Sequence, residues 1–462
     1  MFVHAEWGGG AEVPVRGAGG EHRDQRGGGG AHGLLPLLRD EGELLRGPAR
    51  AGPGRGGVLH REEGRGGALV TSGPGVRAVV IQGTWAPRGS KAPDARAAPP
   101  GNRAWRWPQV SVQTVPLRPP GPGEVLVRVA ACGLCGSDRA LCAEDEDGYM
   151  RYAGRVRLPL VPGHEFAGVV VEVGPGVHRV RPGDAVTCDN IVACGHCASC
   201  RAGATNQCAS VEEIGFTKPG GLAEYAIVPE RCCFDANPIV QALGAGDGYR
   251  VAALLEPAAV AYQGLFLEAG GVPAGGTVVV YGAGVVGLSC AALARAAGAG
   301  QVLVFKRRPG GEDLARAVGA EVVYAWDELQ RQGRRPADVV RELTAGHGAE
   351  LQVEASGALQ ATVPEMLEAL APRGTVLLLG RQAGAVPVEL DRLVSAAGRV
   401  VGSLGHAGER TFPPLVERVA RGELPLGALV ARVVTLDQTP QVLQERLPPA
   451  GKTLVEPAGR VA

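Results

Sequence analysis

Residues 277–294 contain no charged side chain, which suits either a membrane span or a buried strand that turns into a buried helix. The glycines decide between the two. Gly282-Ala283-Gly284-Val285-Val286-Gly287 follows a β-branched run and leads into an alanine-rich stretch, so the pattern predicts a strand, a tight turn and a helix. Gly282 permits the turn, Gly284 lets a phosphate approach the backbone, and Gly287 lets the helix pack closely. A pyrophosphate would then lie at the helix N-terminus on Gly282, Gly284, Val285, Val286 and Gly287. Strand-like runs at 301–305, 351–354 and 375–379 alternate with helical patterns near 285–298 and 313–318, which predicts a parallel sheet with crossover helices.

Two sets of metal-ligand residues precede this unit. Cys194, Cys197, Cys200 and Cys208 have the C-x2-C-x2-C-x7-C spacing of one closed tetrahedral site, which leaves no position for water and fits a structural zinc. An iron–sulfur cluster would need the same ligands, but no second cluster motif supports it. Cys135, in Ala131-Cys-Gly-Leu-Cys-Gly-Ser-Asp138, and His164, in Gly163-His-Glu165, supply a thiolate and an imidazole. Three protein ligands and an open position mark a catalytic zinc, and Glu256 in Leu255-Glu-Pro257 is the best third ligand. The expected complement is therefore two zinc ions per chain.

Composition narrows the class. Lys+Arg and Asp+Glu both number 47 in 462 residues, so whole-chain charge attracts neither nucleic acid nor membrane, and a small molecule is the expected partner. Eleven cysteines in so long a chain, four of them in one metal-spaced run, point to a reducing, cytoplasmic setting, and the start has no secretory-signal pattern. Residues 1–75 hold roughly 22 of the 72 glycines, with many arginines, and are expected to be disordered or to reflect a start codon placed too far upstream. Runs at 76–81, 123–130, 166–173 and 184–187, punctuated by Gly and Pro, suggest a β-barrel-like domain without long helices. The expected division is an extension at 1–75, a zinc domain at 76–257, a dinucleotide-binding domain at 258–403, and a return to the zinc domain at 404–462.

With these residues assembled, residues 76–458 resemble the zinc-containing medium-chain alcohol and polyol dehydrogenases. Within that family the likeness is greatest to cyclitol dehydrogenases of the scyllo-inosose 3-dehydrogenase and 2-deoxy-scyllo-inosamine dehydrogenase types. It is carried by Trp105-Arg-Trp107-Pro108, Glu146-Asp-Gly148-Tyr149, the four-cysteine loop, Asn206-Gln-Cys208, Glu213-Ile-Gly-Phe216 and Gly402-Ser-Leu-Gly-His406-Ala-Gly408. The resemblance implies an α/β protein: a chaperonin-10-like β-barrel catalytic domain interrupted by a Rossmann doubly wound parallel sheet, assembled as homodimers or homotetramers. It places Cys135, His164 and Glu256 on the catalytic zinc, Glu165 beside the metal, Asp138 behind His164, and Ser137 as the hydroxyl that takes the substrate proton. Tyr149 and His406 occupy positions that could bind substrate hydroxyls. One departure is Ala140, where many relatives carry a relay histidine, so proton release needs water or another side chain.

The expected reaction is hydride transfer between a secondary alcohol of a cyclitol or polyol and NAD(P)⁺. A linear polyol, a simple alcohol or threonine is the rival substrate, and a zinc protein associated with nucleic acid is the rival class. Past the second strand of the dinucleotide unit, where an acid would accept from the ribose 2′-hydroxyl, stand Lys306, Arg307 and Arg308. Three cations there favour NADP⁺ over NAD⁺.

Overall fold

The structure, a computed structural model, describes residues 75–88, 98–382, 384–447, 449–457 and 459. The glycine-rich extension expected at 1–75 lies outside these residues, except for Gly75. Strands β1 (Gly75–Trp85) and β2 (Trp105–Pro116) form a long antiparallel pair. Next come β3 (Glu124–Gly133), β4 (Glu165–Val173) and β5 (Ala185–Cys188), then the short antiparallel pair β6 (Ile191–Val192) and β7 (Glu212–Glu213), and then β8 (Tyr225–Pro229) and β9 (Cys233–Asp235).

The predicted parallel sheet is present. It contains β10 (Thr277–Tyr281), β11 (Gln301–Lys306), β12 (Val322–Ala325), β13 (Ala349–Glu354), β14 (Leu370–Leu378) and β15 (Arg399–Gly402) in the order β12-β11-β10-β13-β14-β15. The strand order reverses between β10 and β13, and a ligand crevice belongs at the carboxyl ends of those two strands. The apolar segment 277–294 becomes β10, the glycine turn and the buried helix Val285–Ala296. No single described helix is long and apolar enough to cross a membrane.

The chain then returns. β16 (Val430–Thr435) and β17 (Lys452–Glu456) complete a seven-stranded sheet of order β16-β17-β3-β4-β5-β9, with β8 also paired to β3. Only the β16–β17 pair in this sheet is parallel.

The helices at the end of the zinc domain expected at 76–257 are short: Asn237–Leu243 and Ala245–Ala253 lead into Leu255–Tyr262, which continues as a π-helical turn over Gln263–Glu268. Only Leu255–Tyr262 is apolar and buried nearly throughout; Asn237–Leu243 and Ala245–Ala253 keep an exposed side with Gln241, Leu243 and Asp247. Leu254, Leu255, Ala258 and Ala259 share one core with Val278, Leu288 and Leu293 of the parallel-sheet layer and with Leu454 of β17. Phe412 stacks on Phe234 at 4.7 Å within that core. Truncating such a phenylalanine typically costs roughly 3–5 kcal/mol, so the two sheets are held as a firm platform for whatever lies between them.

Candidate active site

The register of β3 and β4 builds the centre. Gly133 pairs with Glu165, so the chain leaving β3 and the chain entering β4 meet at one edge of the sheet. Cys135 is the N-cap of the helix Gly136–Cys142; its backbone N–H donates to Asp138 Oδ2 at 2.8 Å, and the Asp138 N–H bonds the Cys135 side chain in return. The reciprocal cap fixes the thiol at the helix start, where the dipole favours an anion. Ligand atoms of Cys135, His164 and Glu165 all lie within 4.8 Å of one another.

Unpartnered buried atoms in this cluster suit a metal. Asp138 Oδ1 is 3.6 Å from His164 Nδ1, and neither atom makes a hydrogen bond; nor does the Ser137 Oγ beside them. The Asp138 carboxylate orients the imidazole and leaves its other nitrogen for a metal. Burial works against the imidazolium of His164, but Asp138 and Cys135 outweigh it, so the metal-free pKa lies well above the ordinary value.

Glu165 and Glu256 are held differently. Lys452 of β17 donates to Glu165 Oε1 at 2.7 Å, contacts Oε2, and bonds the Leu134 carbonyl at 3.2 Å, all in a buried setting. Burial disfavours its ammonium, yet Glu165 more than offsets this and raises the Lys452 pKa. Glu256, on the helix Leu255–Tyr262, lies outside the three-residue group and faces His406, with Oε1 3.3 Å from Nε2. The other nitrogen of His406 is 3.6 Å from Asp189 Oδ1. Burial pushes Glu256 up, but His406 and His164 pull it below the usual carboxylate range, whereas burial of Asp189 raises its pKa to about 6.

The second group is local. Ligand atoms of Cys194, Cys197, Cys200 and Cys208 also lie within 4.8 Å of one another, and the Cys197 and Cys200 sulfurs are 3.4 Å apart. Backbone N–H groups point at the sulfurs, Cys194 accepting from Cys197 at 3.4 Å and Cys208 from Cys194 at 3.3 Å. Donors of this kind, led by the His196 N–H, lower the Cys194 pKa to about 5. The loop around them has a very small core of its own, chiefly Ile191, Ala193, Cys208 and Val211.

At the crevice of the parallel sheet, Gly282 has φ +117°, and a Cβ there would lie 2.8 Å from the Ala355 carbonyl carbon. A Cβ on Gly287 would approach the Gly282 carbonyl oxygen to 1.9 Å, whereas the space over Gly284 is open. A cleft of about 410 Å³ beside this turn is lined by Tyr281, Phe305, Lys306, Arg307, Trp326 and Asp327, among others.

Family models match this chain in both halves: the alcohol dehydrogenase GroES-like domain at residues 121–238, and the zinc-binding dehydrogenase domain at 285–421. Scyllo-inosose 3-dehydrogenase of Thermotoga maritima is 31% identical over 385 residues, covering 80% of this chain and 96% of that protein. The chain belongs to the zinc-binding dehydrogenase family. L-Threonine 3-dehydrogenase of Pyrococcus furiosus is 35% identical over 279 residues, covering 60% of this chain and 73% of that one. An alcohol dehydrogenase-like structure from Thermotoga maritima superposes with a TM-score of 0.77 at 30% identity, covering 82% of this chain and all of that one. A zinc-binding dehydrogenase-like structure from Sinorhizobium meliloti 1021, bound to NADP, gives 0.67 at 29% identity, over 83% of this chain and 100% of that one.

In this dehydrogenase the remaining predicted residues fall into three settings. His406 is fully buried against Glu256 and Asp189. Tyr149 is half-buried, with the Arg88 guanidinium 3.8 Å above its ring. Of the basic triplet, Arg307 and Arg308 are exposed, but Lys306 is buried, pairs with Glu312 and donates to the Gly310 carbonyl at 2.5 Å. Lys306 pulls Glu312 down to about 2. The triplet therefore presents two open cations rather than three, and Arg307 is the one on the cleft. Sequence reasoning missed Lys452, Asp189, Trp326 and Asp327, none of which lies in a motif. It also missed Tyr152, whose ring stacks at 5.0 Å on Phe216, which in turn lies 4.7 Å from the His164 ring.

Proposed function

We propose that this zinc-binding dehydrogenase transfers hydride between a secondary hydroxyl of a cyclitol or related polyol and NADP⁺. The observation that carries the substrate class is the likeness to scyllo-inosose 3-dehydrogenase across 96% of that protein. Cys135, His164 and Glu256, with Glu165 adjacent, would hold the catalytic zinc, and the four cysteines a second, structural zinc. Bound there, zinc supplies a Lewis acid that lowers the pKa of a hydroxyl toward neutrality. Ser137, whose Oγ is buried without a partner, takes the hydroxyl proton. Asp138 keeps the His164 ring fixed, and His406 holds the Glu256 carboxylate in place. With Ala140 at the relay position, the proton leaves Ser137 through water. Arg307, open on the cleft beside the glycine turn, supports the choice of NADP⁺.

Two further readings belong to the same proposal. The edge strand β15 and the segment before it expose Leu390, Val394 and Val400, which are 66%, 75% and 40% accessible, and this apolar edge supports a homodimer formed across β15. All eleven cysteines are free, which supports a reducing, cytoplasmic location. The threonine dehydrogenases among the relatives make L-threonine the second substrate reading. Reduction of NAD⁺ and NADP⁺ measured with inositols, linear polyols, 2-propanol and L-threonine separates these. Inositols should lead by at least about tenfold, and equal rates on 2-propanol would remove the cyclitol reading.

A further inference from the structure

The pair β6–β7 places two adjacent glutamates in opposite settings. Side chains alternate along a strand, so Glu212 and Glu213 face opposite ways. Glu212 meets Arg157, its two oxygens 3.3 and 3.4 Å from the guanidinium. Glu213, on the other face, feels the charge of His164 in the zinc-ligand cluster. The N–H groups of Phe216, Thr217 and Lys218 all bond the Glu213 carbonyl, and the Glu213 N–H bonds Thr217 Oγ1 at 2.8 Å. This turn fixes Glu213 next to Phe216, whose ring is packed between those of His164 and Tyr152. Among the described residues no hydrogen bond or ion pair ends on the Glu213 carboxylate. The charges that act on it are His164 of the centre, Arg155, Glu256 and Arg381. Arg381 follows β14, at the carboxyl end of the parallel sheet, so Glu213 stands where the cofactor-binding layer faces the zinc centre.

A carboxylate in this position is costly unless something donates to it. Burial is the largest influence on Glu213 and pushes its pKa up. An ionised carboxylate only accepts hydrogen bonds, through two oxygens, and a polyol offers several O–H donors at fixed spacing around its ring. The half-buried carboxylate beside an aromatic wall therefore matches a ring bearing hydroxyls on its edge and C–H groups on its faces. The proposed mechanism leaves Glu213 unused.

We infer that Glu213 is a specificity-determining residue, whose carboxylate accepts hydrogen bonds from substrate hydroxyls remote from the reacting carbon. The inference rests on the polyol reading above and names the group that would enforce it. A site built to bond a hydroxyl discriminates strongly against a substrate that lacks it, because the buried acceptor is then left bare.

The test compares Glu213→Gln and Glu213→Leu with the wild type on myo-inositol, 2-propanol and L-threonine. Zinc content and the NADP⁺ dissociation constant, read by fluorescence titration, report whether the fold and the cofactor site survive. The preference for myo-inositol over 2-propanol in kcat/KM should fall at least about 30-fold in Glu213→Leu and less in Glu213→Gln, with the change mainly in KM. Equal losses on both alcohols, loss of zinc, or no change in the ratio overturns the inference while leaving the polyol reading to stand on the wild-type rates. A wild type that favours L-threonine removes the polyol reading. If Glu213→Gln then abolishes that preference, the carboxylate binds an ammonium rather than hydroxyls, and the inference falls with the reading.

Discussion

The two clusters of metal-ligand residues are built on opposite plans. Cys194 to Cys208 bring four like ligands together within one loop whose other contacts are few. The group of Cys135, His164 and Glu165, with Glu256 proposed to join it, draws different residue types from two strand ends and a buried helix, and each rests on a further side chain: Asp138, Lys452 or His406. A closed set of thiolates can only hold a loop together, whereas a mixed set wrapped in buried charges can bind substrate and respond to its surroundings. Local order comes from the first, chemistry from the second.

The contrast breaks most decisively by ligand deletion. Cys135→Ala should lower kcat/KM by at least about 10³-fold, leave one zinc per chain and change the melting temperature little, as expected where the metal acts as the Lewis acid. Cys197→Ser should also leave one zinc, but with a melting temperature lower by several degrees and reduced solubility, since that metal folds its loop. Metal analysis with calorimetry checks both, and a common phenotype for the two variants would erase the distinction.

A smaller effect separates the centres by pH. Zinc bound as proposed would displace a proton from His164, whose metal-free pKa is raised. A raised folded-state pKa means that protonation stabilises the fold, so the contribution is complete below about 6.5, the ordinary histidine value, and fades as pH rises through the folded value. Asp189, raised to about 6 from 3.8, acts with the same sign between those two values, and His406 is raised as well. The chelator-stripped protein should therefore lose stability as pH rises above about 6.5, whereas the zinc-loaded protein should not. Parallel melting curves for the two forms would sink this expectation.

Replacing the support of a ligand is milder than replacing the ligand. His406→Gln should weaken zinc retention at the catalytic centre about 10–100-fold in a competition with a chelator dye, while the four-cysteine zinc stays bound. The smallest effect is on the cofactor. A charged contact is worth about 1.5–3 kcal/mol, so Arg307→Ala should move the NADP⁺/NAD⁺ ratio of kcat/KM about tenfold toward NAD⁺. An unmoved ratio would mean that Asp327 or another group on the cleft makes the choice.

What could be read in advance follows the same division. The four cysteines and the glycine turn are contiguous in sequence, so their spacing carried their geometry. The alternating strands were legible for the same reason, as the run at 123–130 falls in β3 from Glu124 onward and residues 166–173 lie in β4. Long-range partners were not legible. Nothing about Lys452 predicts Glu165, and nothing about His406 separates a buried partner of Glu256 from a loop residue until the fold joins positions 150 apart. Lys306 looked like a phosphate ligand because Glu312, which neutralises it, lies six residues away around a turn rather than beside it. The helices between 237 and 268 escaped because each is only six to nine residues long, too short for a helical period to stand out.

The placement of β17 governs the order in which this centre can be assembled during synthesis. Lys452 bonds the Leu134 carbonyl across 318 residues, and β17 pairs directly with β3. Translation releases Cys135 and His164 while the parallel-sheet layer and the last strand are still unmade, so the four-cysteine loop can close on the ribosome but the other site cannot acquire its Lys452–Glu165 pair there. A chain stalled or truncated before residue 452 would carry one finished metal site and one half-built pocket with an exposed thiol, open to any competing ion.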